Sequence, residues 1–183
     1  MPLLSVSILV PTFNRAGLLA EALSSLLSQS RPAQEIIVID DGSSDETAAM
    51  LSAMGNRVRY LRQPNSGKSA ALNLGLAHAT GDLIWIFDDD DLAEPDALET
   101  LAGLIEQNPE ADIAYGRHLR FSVDKAGHPH AFDTGYWQTS GTEDFFVLTL
   151  EDMFVVCPHE SGPLFELVPA SDMELRHGQE INA

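Results

Sequence analysis

From Val6 to Tyr115, short continuous apolar runs alternate with stretches whose apolar residues recur every three or four positions. Val6-Ser7-Ile8-Leu9-Val10 is β-rich and stops at Pro11, which predicts a buried strand. Leu18, Leu19, Ala22, Leu23, Leu26 and Leu27 then fall on one stripe at helical spacing. Ile36-Ile37-Val38-Ile39 is an unbroken β-branched run, the pattern of a strand covered on both faces. Ser43 and Glu46 have capping-box spacing ahead of a short helix over Thr47–Met54. A third strand is expected at Val58–Leu61, a loop at Pro64–Gly67 and a helix over Lys68–Ala79. Leu83-Ile84-Trp85-Ile86-Phe87 predicts a fourth buried strand. Pro95 suits the first turn of a helix that shows Ala97, Leu98, Leu101, Leu104 and Ile105 on one face. Ala111–Tyr115 predicts a fifth strand.

This rhythm of strand, helix and short connection implies βαβ units, hence an α/β fold with a mainly parallel sheet flanked by helices. Ligands of such sheets bind beyond the carboxyl ends of the strands. Thr12 to Asn14, Asp40-Asp41 and Asp88 to Asp91 each follow a strand, so all are expected at that edge. After Phe121 the rhythm fades. Ser122 to His128 reads as a hairpin turn, and residues 131–183 give no assignable elements. The 183 residues suit one domain with a sizeable core and are few for two.

Charge narrows the partners. With 28 acidic against 10 basic residues, the formal net charge of −18 repels nucleic acids and anionic lipids. An anionic ligand remains compatible, because a metal and a few local donors reverse the potential inside one cleft. For the rest of the surface the charge means solubility. Cys157 is the one cysteine, so no intrachain disulfide forms and a thiol-rich metal site is excluded. The apolar start lacks a basic flank and is short, which reads as a strand and not a signal peptide. No segment reaches the ~18 apolar residues of a membrane span. A cytoplasmic protein, peripheral to the inner face of a membrane at most, is expected.

Four consecutive aspartates, Asp88 to Asp91, directly after a buried strand are the sharpest chemical signal. Crowded carboxylates repel one another and resist desolvation. Mg²⁺ or Mn²⁺ removes both problems and favours carboxylate and phosphate oxygens. The plainer reading is a solvated acidic loop ahead of a helix N-terminus. It accounts for one or two aspartates better than for four. In Ile39-Asp40-Asp41-Gly42-Ser43 a strand-end carboxylate can accept from a base N–H or ribose hydroxyls. By itself the same segment reads as an Asp/Gly turn with a helix cap. Phe13, just past the first strand, is either a base-stacking aromatic or an ordinary core residue. Asn65-Ser66-Gly67-Lys68-Ser69 opens a helix where backbone N–H groups and Lys68 suit phosphate, without the upstream glycine of a P-loop. His128-Pro129-His130 reads as a turn, and His78, His118, His159 and His177 show no ligand spacing.

Taken together, Val6 to Arg15, Ile36 to Ser44, Asn65 to Asn73 and Phe87 to Leu92 with Pro95 closely resemble the family 2 glycosyltransferases of the Rossmann-like GT-A fold, in order and spacing. The resemblance runs from Val6 to about Gly116. It implies a single glycosyltransferase domain, with residues 1–116 as the nucleotide-sugar-binding half and 117–183 as a short or incomplete acceptor half. It also implies metal-dependent transfer, with inversion, from a nucleoside-diphosphate sugar to an acceptor hydroxyl on a glycan, lipid-linked sugar or protein, as in cell-envelope polysaccharide synthesis. Pro11 and Phe13 match base-pocket positions and Asp41 the carboxylate that recognises the base, with Asp40 before it in the same motif. Asp88, Asp89 and Asp90 match the Asp-x-Asp region. There Asp90 is the metal ligand, for Mn²⁺ or Mg²⁺, and Asp89 lies near the donor ribose or sugar. Lys68 lies in the segment that approaches the diphosphate.

The chain also departs from the family pattern. Leu72 stands where many members carry an arginine. Members usually continue well beyond residue 183 and place the acceptor site and catalytic base in the second half, so a fragment, a truncated product or a short member is expected. Ser171-Asp172-Met173-Glu174 faintly resembles that region, which makes Asp172 the candidate base and Glu174 the alternative. Two competing readings remain: a module that binds nucleotide-sugar without turnover, and a sugar nucleotidyltransferase. The second lacks its usual Gly-rich segment after the first strand.

Overall fold

The computed structural model describes residues 3–108 and four short strand segments, 113–114, 120–123, 129–132 and 155–156. Asp172, Glu174, Cys157, His118, His128, His159 and His177 lie outside the described residues.

The chain runs β1 (Val6–Thr12), α1 (Ala16–Leu27), β2 (Glu35–Asp40), α2 (Thr47–Met54), β3 (Arg59–Arg62), α3 (Lys68–Leu76), β4 (Leu83–Ile86), α4 (Ala97–Gln107), β5 (Ile113–Ala114), β6 (Arg120–Val123), β7 (Pro129–Phe132) and β8 (Val155–Val156). The principal sheet has the order β3-β2-β1-β4-β8-β5. β1 pairs in parallel with β2 and β4, and β2 in parallel with β3. The expected mainly parallel α/β sheet is therefore present. The sequence order reverses at β1, between β2 and β4, which is where an open parallel sheet forms its crevice.

Both faces of the sheet are covered at β1, β2 and β4, which is why β2 and β4 read as continuous apolar runs. Ile8, Val10, Val38, Trp85 and Phe87 face one cluster with Leu19, Leu23, Leu26, Leu98 and Ile105. Leu9, Ile37, Ile39 and Ile84 face the other with Ala71 and Leu72. Alternate residues of β1 thus serve opposite cores. Helix α3 sits so close to the sheet that a Cβ on Gly75 would come within 2.8 Å of Ile39 Cδ1.

Several boundaries differ from the sequence pattern. Strand β3 is Arg59–Arg62, one residue later than Val58–Leu61, because it pairs with Ile37–Asp40 of β2. Helix α3 stops at Leu76 and not Ala79. The Ser43/Glu46 capping box does not form. Glu46 sits at the N-cap with no side-chain cap bond, while Asp45 Oδ1 accepts from Thr47 N at 3.1 Å and Asp45 Oδ2 from Ala16 N at 3.0 Å. One carboxylate so serves the starts of both α1 and α2. Pro95 lies in the turn before α4, whose N-cap is Asp96. Strand β8, from the half without readable rhythm, pairs antiparallel with β4 and β5. Ser122 and Val123, expected in a hairpin turn, belong to β6, which pairs antiparallel with β7, and residues 124–128 lie outside the described residues.

Candidate active site

Three strand ends and one helix start build the site. After β1 the backbone turns through Asn14, which adopts a left-handed φ of 54°, a conformation asparagine tolerates better than most residues. Its Oδ1 accepts from Ser44 N at 2.7 Å, and its N–H donates to Ser43 Oγ at 2.9 Å. The loops after β1 and β2 are thereby tied together. Pro11 and Thr12 are buried, and Phe13 is 44% exposed beside them.

At the end of β2 the two aspartates do different things. Asp40 is fully buried. Its Oδ1 accepts from Ser43 N at 2.7 Å, its Oδ2 accepts from Tyr60 Oη at 2.8 Å, and Arg62 Nε lies 3.7 Å away. Burial pushes its carboxyl up, but the bonds from Ser43 and Tyr60 and the Arg62 charge outweigh it and hold it below the ordinary value. Asp40 thus closes the turn from inside. Asp41 reaches the next loop: its Oδ1 accepts from Gln63 Nε2 at 2.7 Å and Ser66 N at 2.8 Å, and its Oδ2 from Gly67 N at 2.8 Å. A carboxylate can accept about four hydrogen bonds, so these three leave Oδ2 room for one more donor. Gly42, at φ 87°, permits this approach, since a Cβ there would lie 2.9 Å from Asn65 N.

The acidic end of β4 is balanced by cations from elsewhere in the chain. Asp88 pairs with Lys68 Nζ at 2.7 Å, from the first turn of α3. Asp89 is 5% exposed; its Oδ2 accepts from Thr12 Oγ1 at 2.6 Å and its Oδ1 from Arg15 Nη1 at 3.0 Å. The same Arg15 nitrogen lies 3.0 Å from Asp90 Oδ2. Burial pushes the Asp89 carboxyl above its ordinary value against the pull of Thr12 and Arg15, and the Asp89 charge in turn raises Arg15. Asp88 and Asp90 side chains are 31% and 46% exposed. They offer hard oxygen donors at the open edge of the sheet, the chemistry Mg²⁺ or Mn²⁺ selects. Among the described residues no three His, Cys, Asp or Glu side chains are grouped to hold a metal by themselves. An ion here would complete its shell with phosphate oxygens and water, as Mg²⁺ usually does.

The structure brings Pro11, Phe13, Asp40, Asp41, Lys68, Asp88, Asp89 and Asp90 to one edge of the sheet, through β1, β2, α3 and β4. From sequence alone Arg15 has no role, nor do Gln63, Tyr60 or Arg62. The clue for Arg15 was an unbalanced charge count: four adjacent aspartates call for nearby cations. A separate cleft of about 400 Å³, lined by Leu27, Pro32, Gln34, Arg57 and Arg59, lies at the starts of β2 and β3, the opposite edge from these carboxylates.

The model of the family described as glycosyl transferase family 2 matches residues 7–168. The chain belongs to that family. It is 37% identical over 120 residues to glycosyltransferase GlyA of Streptococcus pneumoniae, covering 64% of this chain and 17% of that protein. It is 34% identical over 134 residues to glycosyltransferase GlyG of the same organism, covering 71% of this chain and 44% of that one. The chain therefore spans less than half the length of either relative. Among solved structures, TarS of S. aureus (residues 1–349) in complex with UDP-GlcNAc is 29% identical with a TM-score of 0.54, over 60% of this chain and 33% of that one. The mannosyltransferase PcManGT of Pyrobaculum calidifontis, with GDP-Man and Mn²⁺, is 30% identical with a TM-score of 0.50, over 60% and 34%. The fold is that of the GT-A glycosyltransferases, as the motifs imply, and family membership leaves the nucleotidyltransferase alternative without support. No helix among the described residues is long and apolar enough to cross a membrane.

Proposed function

We propose that this chain binds a nucleoside-diphosphate sugar at the β1–β2–β4 edge and transfers the sugar, with inversion and in a metal-dependent way, to an acceptor hydroxyl. The observation that carries this reading is the convergence of two kinds of carboxylate at one sheet edge. Asp41 keeps an acceptor position beside the loop at Gln63–Gly67. Asp88 to Asp90 lie at the end of the neighbouring β4 with Lys68 and Arg15. The TarS complex with UDP-GlcNAc and the PcManGT complex with GDP-Man and Mn²⁺ support the donor class.

In this reading Asp41 accepts from the base, and Phe13 packs on its flat face above the buried Pro11. Asp40 shapes the turn that presents Asp41. Asp89 lies near the donor ribose or sugar, and Lys68 approaches the diphosphate. Asp90 holds the metal, Mn²⁺ or Mg²⁺, which when bound neutralises the charge that grows on a diphosphate leaving group. A carboxylate base takes the proton from the acceptor hydroxyl on the side opposite the leaving group. Asp172 is the candidate, with Glu174 second. The acceptor is a glycan, a lipid-linked sugar or a protein, of the kind met in cell-envelope polysaccharide synthesis at the cytoplasmic side of a membrane.

The test is a donor screen: nucleotide-sugars with Mn²⁺ or Mg²⁺, following nucleoside diphosphate release with and without mixed acceptors. Release that needs donor, metal and acceptor together is the expected result. The second reading is donor binding without turnover. In that case calorimetry registers a donor that the release assay does not consume.

A further inference from the structure

Arg15 stands in the first turn before α1, with its side chain half exposed, and one of its nitrogens serves two carboxylates at once. The two contacts are unequal. Asp89 is buried and keeps a second partner, Thr12 Oγ1, at 2.6 Å. Asp90 is 46% exposed, and its ion pair with Arg15 is open to solvent. The guanidinium is therefore anchored on the Asp89 side and easily exchanged on the Asp90 side. Neighbouring Asp88 is balanced separately by Lys68 at 2.7 Å.

We infer that Arg15 is an internal competitor for the divalent cation: it holds the Asp90 carboxylate until a nucleoside diphosphate and the ion arrive together, so that the two bind cooperatively and the ion alone binds weakly. This rests on the donor-site reading above and adds a positioning role that the reading does not contain. A guanidinium is always charged and has several donors in a fixed plane. It can leave Asp90 while keeping Asp89, and its released donors then face the incoming diphosphate. Leu72 of α3 lies buried at 6% exposure in the core under that helix. Arg15 supplies a second positive side chain at the edge beside Lys68.

Calorimetry with Mn²⁺ alone, then with Mn²⁺ plus UDP or GDP, tests this on the full chain. Arg15→Ala is expected to strengthen binding of Mn²⁺ alone about fivefold, the scale of a half-exposed ion pair. It is also expected to weaken nucleoside diphosphate binding in the presence of Mn²⁺. Arg15→Lys, which restores a charge without the fork, is expected to bind Mn²⁺ alone as weakly as wild type. Thermal midpoints of all three proteins confirm that the comparison is between folded chains. If wild type binds Mn²⁺ with the nucleotide and Arg15→Ala binds Mn²⁺ alone no better than wild type, the competitor role is overturned and the donor site stands. If no combination of Mn²⁺ and either nucleotide binds wild type, the donor-site reading falls and the inference falls with it.

Discussion

At the scale of single residues, adjacent aspartates have opposite fates. Under the proposed function, substitution of Asp41 and of Asp90 is expected to separate the parts of the ligand. Asp41→Ala removes an acceptor from Ser66 N, Gly67 N and Gln63, so it costs about 1–3 kcal/mol of stability besides weakening the nucleoside. Asp90→Ala touches a half-exposed carboxylate and is expected to leave stability within about 0.5 kcal/mol, while removing the part of diphosphate binding that depends on Mn²⁺. Titration calorimetry with a nucleoside diphosphate, with and without Mn²⁺, distinguishes them; equal losses for both variants in both conditions would sink the assignment. Asp40 makes a pH prediction. Its folded-state carboxyl lies below the ordinary value, so its contribution is fully present above the unfolded value of about 4. It is lost as the pH falls through the lower, folded value. Asp40→Asn is therefore expected to be less stable than wild type at pH 7, by about 1–3 kcal/mol. The gap should close on acidification below pH 4. A gap in urea midpoint that stays constant down to pH 2 contradicts this. Asp89 has the opposite sign, because burial raises it, but it is common to both proteins and cancels in the difference.

At the scale of elements, the site depends on loops clamped from behind. Gln29, near the end of α1, is 9% exposed; it donates to Glu94 O at 2.7 Å and accepts from Leu98 N at 2.9 Å, the start of α4. Ser25 Oγ accepts from Ala93 N at 3.0 Å. The segment after Asp91 is thus carried by α1. Gln29→Leu keeps the bulk but leaves both backbone groups without their partner, at an expected cost of about 1–3 kcal/mol. Amide exchange should rise over residues 92–98 and not in α3. Unchanged exchange there would mean the loop has another anchor. These clamps also mark the limit of what the sequence reveals. The β1, β2 and β4 runs are legible because burial on both faces leaves almost no polar interruption, Ser7 apart, and the aspartates after β2 and β4 locate the edge. The capping box at Ser43 and Glu46 misled, because a carboxylate one residue earlier, Asp45, reaches two helix starts at once. Spacing along one segment does not register such a shared partner. For the same reason Lys68 and Arg15, which lie 20 and 75 residues away from their partners in the chain, are not legible in the sequence as the cations that balance the four aspartates. Strand β8 was unreadable because two residues, Val155–Val156, are too short for any periodicity.

At the scale of the whole molecule, the question is whether the donor half has a catalytic partner in the same chain. The described edge supplies groups that bind and neutralise: Asp41, Lys68, Arg15 and Asp88 to Asp90. Asp41, Asp88, Asp89 and Asp90 already accept from, or pair with, donors of this edge. In-line displacement puts the base opposite the leaving group, away from the carboxylates that hold this edge together. Under the proposed function the base lies outside this edge; in this chain Asp172 is the first candidate and Glu174 the second. Asp172→Asn keeps the shape but cannot take the proton. It is expected to lower turnover by about 10²-fold or more, the usual contribution of a general base, with donor affinity unchanged. Such a split between kcat and binding identifies a group that acts on the acceptor and not on the donor. Single-turnover release of nucleoside diphosphate, measured beside calorimetry of the donor, reads both quantities on one preparation. A parallel fall in donor affinity would make Asp172 part of the donor site. Full activity of Asp172→Asn would move the test to Glu174. Full activity of both variants would place the base elsewhere. A wild-type chain that binds donor and never releases diphosphate would make these residues bystanders in a binding module.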